Sequence, residues 1–99
     1  MELKIQALHF NATEQLQSFI GKKCSKLEKV HDAISKIEVI LEVVKPETSL
    51  NKQARISAII QGGEAHADKT CDTFEQAVDD CVEALIRQLK KNKEKQREK

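Results

Sequence analysis

From Asp72 onward the residue spacing specifies one long helix, and no other stretch constrains the fold so strongly. Phe74, Ala77, Val78, Cys81, Val82 and Leu85 recur with the period of a helix and form one apolar stripe. Asp72 and Thr73 are both good N-caps, and each finds Glu75 or Gln76 three residues on to close a capping box. Beyond Arg87 the composition turns basic, and the stripe ends after Leu89. A helix of this kind needs an apolar layer to lie on. Its acidic start would dock there while its cationic end faces water.

The rest of the chain supplies that layer. Leu3, Ile5 and Ala7 alternate with polar residues over 2–8, which predicts a half-buried strand. Asn11, with Glu14 three residues later, is read as the opening of a first helix. Leu16, Phe19, Ile20, Cys24 and Leu27 are its apolar stripe, and Gly21 inside it suggests a close packing contact. Residues 34–45 form the clearest strand, with Ile37, Val39, Leu41 and Val43 on one face and Ile40 and Val44 interrupting the other. Pro46 ends it, because proline cannot donate to a ladder. A third strand is expected over 53–61, with Ala54, Ile56, Ala58 and Ile60 inward. Gly62-Gly63 makes a hairpin turn, and 64–70 follows as a shorter, weaker strand with Ala65 and Ala67 inward.

The order is β-α-β-β-β-α. Single apolar stripes on the helices and single apolar faces on most strands predict a two-layer α+β domain, with both helices on one face of a four-stranded sheet. At 99 residues the chain has room for one such core, placed over 1–92, with 93–99 as a basic tail that frays.

Charge is unevenly spread. Residues 1–89 carry 11 Lys/Arg against 14 Asp/Glu, whereas 90–99 carry six against two. Lys22, Lys26 and Lys29 fall along one face of the first helix, with Lys23 beside them. With Arg87, Lys90, Lys91 and Lys93 they are the candidate RNA-binding residues. A solvated helix face is the blander explanation of either run alone, since C-terminal cations match the helix dipole. Two such runs on an otherwise acidic domain argue for phosphate recognition, with binding that weakens steeply as salt rises. The chain lacks Trp and Tyr, and Phe19 and Phe74 sit on core stripes, so stacking on unpaired bases has few platforms. Structured RNA, read by its backbone, fits better.

Other chemistries find little support. Cys24, Cys71 and Cys81 are odd in number and make no Cys-x-x-Cys, nor do His9, His31 and His66 make a His-x-x-x-His. No metal or cofactor is expected. Asp79 and Asp80 are neighbours on a helix and point about 100° apart, which is wrong for a shared proton, so an enzyme is not expected either. No apolar run is long enough to span a membrane, and the N-terminus lacks a signal-peptide core, which together predict a cytoplasmic protein.

Residues 72–95 also resemble the signature of the ribosome hibernation-promoting factor family, which includes the ribosome-associated inhibitor. Asp72, Phe74, Ala77, Val78 and Asp79 match its opening, and Leu85, Arg87, Gln88, Leu89, Lys90, Lys91 and Lys93 its close. Leu16, Phe19, Ile20, Lys23, Lys26 and Leu27 are similar to its first helix. Phe74 stands where relatives usually have Tyr, and Ala84 where many have Lys.

The resemblance implies a non-enzymatic protein made under stress or in stationary phase. It would bind the small ribosomal subunit and its ribosomal RNA in the channel for messenger and transfer RNA, and so inhibit translation. It also implies a short form, monomeric off the ribosome, which could act with a separate ribosome-dimerisation factor or simply hold single ribosomes silent.

Two alternatives remain. A double-stranded-RNA-binding domain shares the α-β-β-β-α order, although Asp72, Glu75, Asp79 and Asp80 would repel phosphates where such domains carry lysines. A protein-interaction module could instead pair through a sheet edge or through Ile40, Val44 and Ile59.

Overall fold

A computed structural model describes residues 2–44 and 50–97, with side chains described as far as Lys91. The elements are β1 (Glu2–Leu8), α1 (Glu14–Val30), β2 (Ile34–Val43), β3 (Lys52–Ile60), β4 (Gly63–Cys71) and α2 (Phe74–Arg97). The sheet runs in the order β1-β2-β3-β4. β1 pairs parallel with β2, as a helical crossover allows, and the other pairs are antiparallel. The expected two-layer α+β architecture is the observed one.

One face of the sheet carries the core. Ile5, Val39, Ile56 and Ala67 stand in register across all four strands, as do Leu3, Ile37, Ala58 and Ala65. The bulge between Ile34 and Lys36 turns Ile34 onto the same face as Ile37, which strict alternation would forbid. Ile20, Cys24 and Leu27 of α1 and Val78, Cys81, Val82, Leu85 and Leu89 of α2 close over this face.

Several element ends differ from the sequence reading, each for a local reason. Thr13, not Asn11, caps α1: its Oγ1 accepts from the Leu16 N–H at 3.1 Å, and its carbonyl accepts from the Gln17 N–H. Thr73 does the same for α2, accepting from the Gln76 N–H at 3.1 Å. β3 is displaced by one residue toward the N-terminus, so the turn falls on Gln61-Gly62 and Gly63 already belongs to β4. Of the two turn residues only Gly62 has positive φ, at 88°, the sign pattern of a type II turn. β4 is as long as β3, at nine residues, because continuous pairing overrides its weak strand propensity. β2 ends at Val43; Lys45 and Pro46 lie outside the described residues.

Gly21 makes no close contact: a Cβ placed there meets nothing within 4 Å. The packing role expected for it is absent. Gly21→Ala should therefore raise stability by about 1 kcal/mol. Gly62→Ala should lower it by a similar amount, about 1–2 kcal/mol, because its space is open but its φ is not. Urea unfolding of the two variants against the parent checks both signs.

α2 is helical to Arg97, so its backbone runs through most of the segment expected to fray. The side chains of 92–99 lie outside the described residues.

Candidate nucleic-acid interface

The chain path fixes how the two helices lie. α1 leaves β1 and returns to the start of β2, so it runs against those strands. β4 runs in the same direction as β2, and α2 folds straight back along it after Asp72-Thr73. Gln88 then reaches His66, near the start of β4. The two helices are therefore parallel, and both C-terminal ends point to the same end of the molecule.

An ion pair marks their register. Lys23 Nζ lies 2.9 Å from Asp79 Oδ1, bridging α1 to α2. At about 1.5 Å per residue, Lys29 is then level with Leu85, and Arg87, Lys90 and Lys91 continue roughly 3–9 Å farther along. Lys22, Lys26, Lys29, Arg87, Lys90 and Lys91 are all exposed. None of them makes an ion pair with a described residue. A shallow cleft lined by Ala84, Arg87, Gln88, Lys90 and Lys91 opens beside the α2 members. Lys93 follows on the same helix, with its side chain outside the described residues.

Two cations elsewhere are neutralised. On the bare face of the sheet, Lys36 pairs with Glu38 at 3.1 Å and Arg55 with Glu42 at 3.5 Å. Lys23 is the exception among the candidates whose side chains are described, for it is half-buried and paired. Its hydrogen bond to Asp79 raises its pKa above the ordinary lysine value. Unmatched positive charge thus lines the outer side of the helix layer, while on the sheet only separated cations such as Lys4 and Lys69 lack an ion pair to a described residue.

Gln88 fell within the matched signature but had no role read for it. Its side-chain amide accepts from the His66 N–H at 3.3 Å and donates to the His66 carbonyl at 2.8 Å. It therefore pairs with the outward backbone of β4 as a neighbouring strand would, and blunts that edge. Asp79, too, has a partner that sequence spacing does not reveal, Lys23 on α1.

Other surfaces carry less. Cys24 and Cys81 are buried, which pushes their thiols up to about 12. Partial burial, and then the neighbouring Asp80 carboxylate, raises Cys71. Such thiols stay protonated and make poor nucleophiles or metal ligands. Among the described residues no cluster of His, Cys, Asp or Glu could hold a metal, and no helix is long and apolar enough to cross a membrane. Ile40, Val44 and Ile59 are half-buried, and the only exposed large hydrophobe among the described residues is Leu50. That leaves the interaction-module reading without a sizeable apolar patch.

The chain is similar to known proteins over nearly its whole length. Residues 3–97 match the model of the family described as Sigma 54 modulation protein / S30EA ribosomal protein. The chain is 33% identical over 95 residues to the ribosome hibernation promoting factor of Escherichia coli, covering 96% of each. It is 32% identical over 96 residues to the factor of the same name from Pseudomonas putida, covering 97% of this chain and 90% of that protein.

Two solved structures share the fold. A ribosomal subunit interface protein from Coxiella burnetii superposes with a TM-score of 0.83 at 22% identity, covering 94% of this chain and 98% of that one. The N-terminal domain of Thermus thermophilus Protein Y gives 0.79 at 21% identity, covering 92% and 98%. The double-stranded-RNA-binding alternative has no counterpart among these relatives. The chain belongs to the Sigma 54 modulation protein / S30EA ribosomal protein family, the non-enzymatic family of the ribosome hibernation promoting factors.

Proposed function

We propose that this protein is a ribosome hibernation factor that binds the small ribosomal subunit in the messenger and transfer RNA channel and stops translation. Its contacts are made to ribosomal RNA phosphates by Lys22, Lys26 and Lys29 of α1 and by Arg87, Lys90 and Lys91 of α2. Lys93 extends the same helix. The observation that carries this reading is the placement of these cations, none ion-paired to a described residue, along the outer side of a parallel helix pair, while Lys36 and Arg55 on the bare sheet are matched by carboxylates. The names of the relatives supply the ribosome as target.

Recognition of this kind is electrostatic and reads backbone shape. It needs no base stacking, which suits a chain whose Phe10 and Phe74 rings are spent on each other at 4.9 Å. A protein lodged in the channel would exclude messenger and transfer RNA without chemistry, in the cytoplasm, under stress or in stationary phase. It acts as a monomer off the ribosome.

Sedimentation of the purified protein with isolated ribosomal subunits, paired with a translation assay, tests the reading. Co-migration with the small subunit and falling peptide synthesis are expected. Co-migration with the large subunit alone, or binding that leaves translation unchanged, would overturn it.

A further inference from the structure

Lys23 stands apart from the cations around it. Lys22, Lys26 and Lys29 are exposed and make no ion pair with a described residue, whereas the Lys23 side chain is only 25% exposed and its ammonium sits 2.9 Å from Asp79 Oδ1. The ring of Phe19 lies below the same ammonium, 5.5 Å from ring centre to Nζ. Glu83, one turn farther along α2, adds negative charge on the same side. The ammonium is therefore held from α1 and from α2 at once. Asp79 is itself half-buried on α2, so the bridge joins two packed helices and does not lie along one.

We infer that Lys23 is a positioning residue and not a phosphate contact: its bridge to Asp79 fixes the lengthwise register of α1 against α2. That register sets the spacing between the exposed cations of the two helices. This inference rests on the proposed RNA interface and assigns one of its candidate lysines a different task. Phosphates lie at fixed intervals along folded RNA, so two rows of cations engage them together only at one relative offset. A slide of one helix against the other would leave each row able to bind and the pair unable to bind jointly. The loss would be modest, because a partly exposed ion pair contributes little on its own.

The two roles differ in how salt acts on them. Removing a phosphate contact lowers the steepness with which affinity falls as salt rises, by roughly 0.7–0.9 in the log–log slope. Removing a positioning group weakens binding and leaves the slope unchanged.

The test measures ribosome affinity against salt for the parent, Lys23→Met, Asp79→Asn and the charge swap Lys23→Asp with Asp79→Lys, with circular dichroism to confirm folding. Both single variants should bind about threefold more weakly than the parent at an unchanged slope, the loss expected from a partly exposed pair. The swap should return affinity to within about twofold of the parent, because the bridge re-forms with its ends exchanged.

A reduced slope for Lys23→Met, a swap weaker than either single variant, or singles indistinguishable from the parent would each overturn the inference. Tighter binding by Asp79→Asn would do so too, since it would mean that a freed Lys23 reaches RNA. If the parent itself fails to bind ribosomes, or binds without salt dependence, the interface reading falls and takes this inference with it. The parent arm therefore separates the two failures.

Discussion

Replacing Lys22, Lys26, Lys29, Arg87, Lys90 and Lys91 with Glu is expected to abolish co-sedimentation with ribosomes at physiological salt, a loss of at least about 10³-fold. Each phosphate contact contributes through the counterions it releases, and about six contacts imply a log–log salt slope of roughly −4 to −5 for the parent. Reversal both removes these contacts and adds repulsion. The side chains involved are exposed and make no ion pair with a described residue, so the fold should survive with small changes in stability. Some cost comes from placing carboxylates near helix C-termini, a few tenths of a kcal/mol each. An unchanged far-ultraviolet spectrum with lost sedimentation is the expected pair of results. Retained sedimentation would mean that the ribosome is met by another surface.

The second large effect concerns the core that holds the two helices on the sheet. Ile56 is fully buried at the middle of β3, with Val39 of β2 and Ala67 of β4 directly beside it. With the small Ala67 on one side of it, few side chains can collapse into the space it vacates. Ile56→Ala should cost about 3–4 kcal/mol, toward the upper part of the range for such truncations. That is a large share of the roughly 5–15 kcal/mol that stabilises a domain of this kind. Urea unfolding should show a much lower midpoint with an unchanged slope. A loss below about 1 kcal/mol would show that the site closes up and that the register argument for the core is wrong.

Much of this architecture was legible before any coordinates, and the reason is periodicity. The α2 stripe from Phe74 to Leu89 and the inward sets Ile37-Val39-Leu41 and Ala54-Ile56-Ala58-Ile60 are buried where the spacing put them. What the periods do not encode is pairing between distant parts of the chain. The sequence reading puts the α1 cap at Asn11, two residues before Thr13, whose Oγ1 accepts from the Leu16 N–H. The segment after Gly62 has weak strand propensity, and its full length depends on β3 beside it and on Gln88 at its edge.

The candidate site divides in the same way. That Lys22, Lys26 and Lys29 share a face follows from helix geometry, and so does the basic end of α2. Their convergence needed the parallel course of the two helices, which depends on sheet topology. Lys23 shows the limit most clearly. In the sequence it is one more lysine in a run, and its commitment to Asp79, 56 positions away, is a fact of packing alone.

The claim on which the account turns is that the C-terminal ends of both helices face ribosomal RNA. A cryo-electron microscopy map of the protein bound to the small ribosomal subunit would test it directly. The account predicts density in the messenger channel with Lys26 and Lys29 of α1 and Lys90 and Lys91 of α2 against RNA phosphates, and the bare sheet turned away. A map in which Glu38, Glu42 and Arg55 of the sheet meet the RNA while both helices face solvent would contradict it.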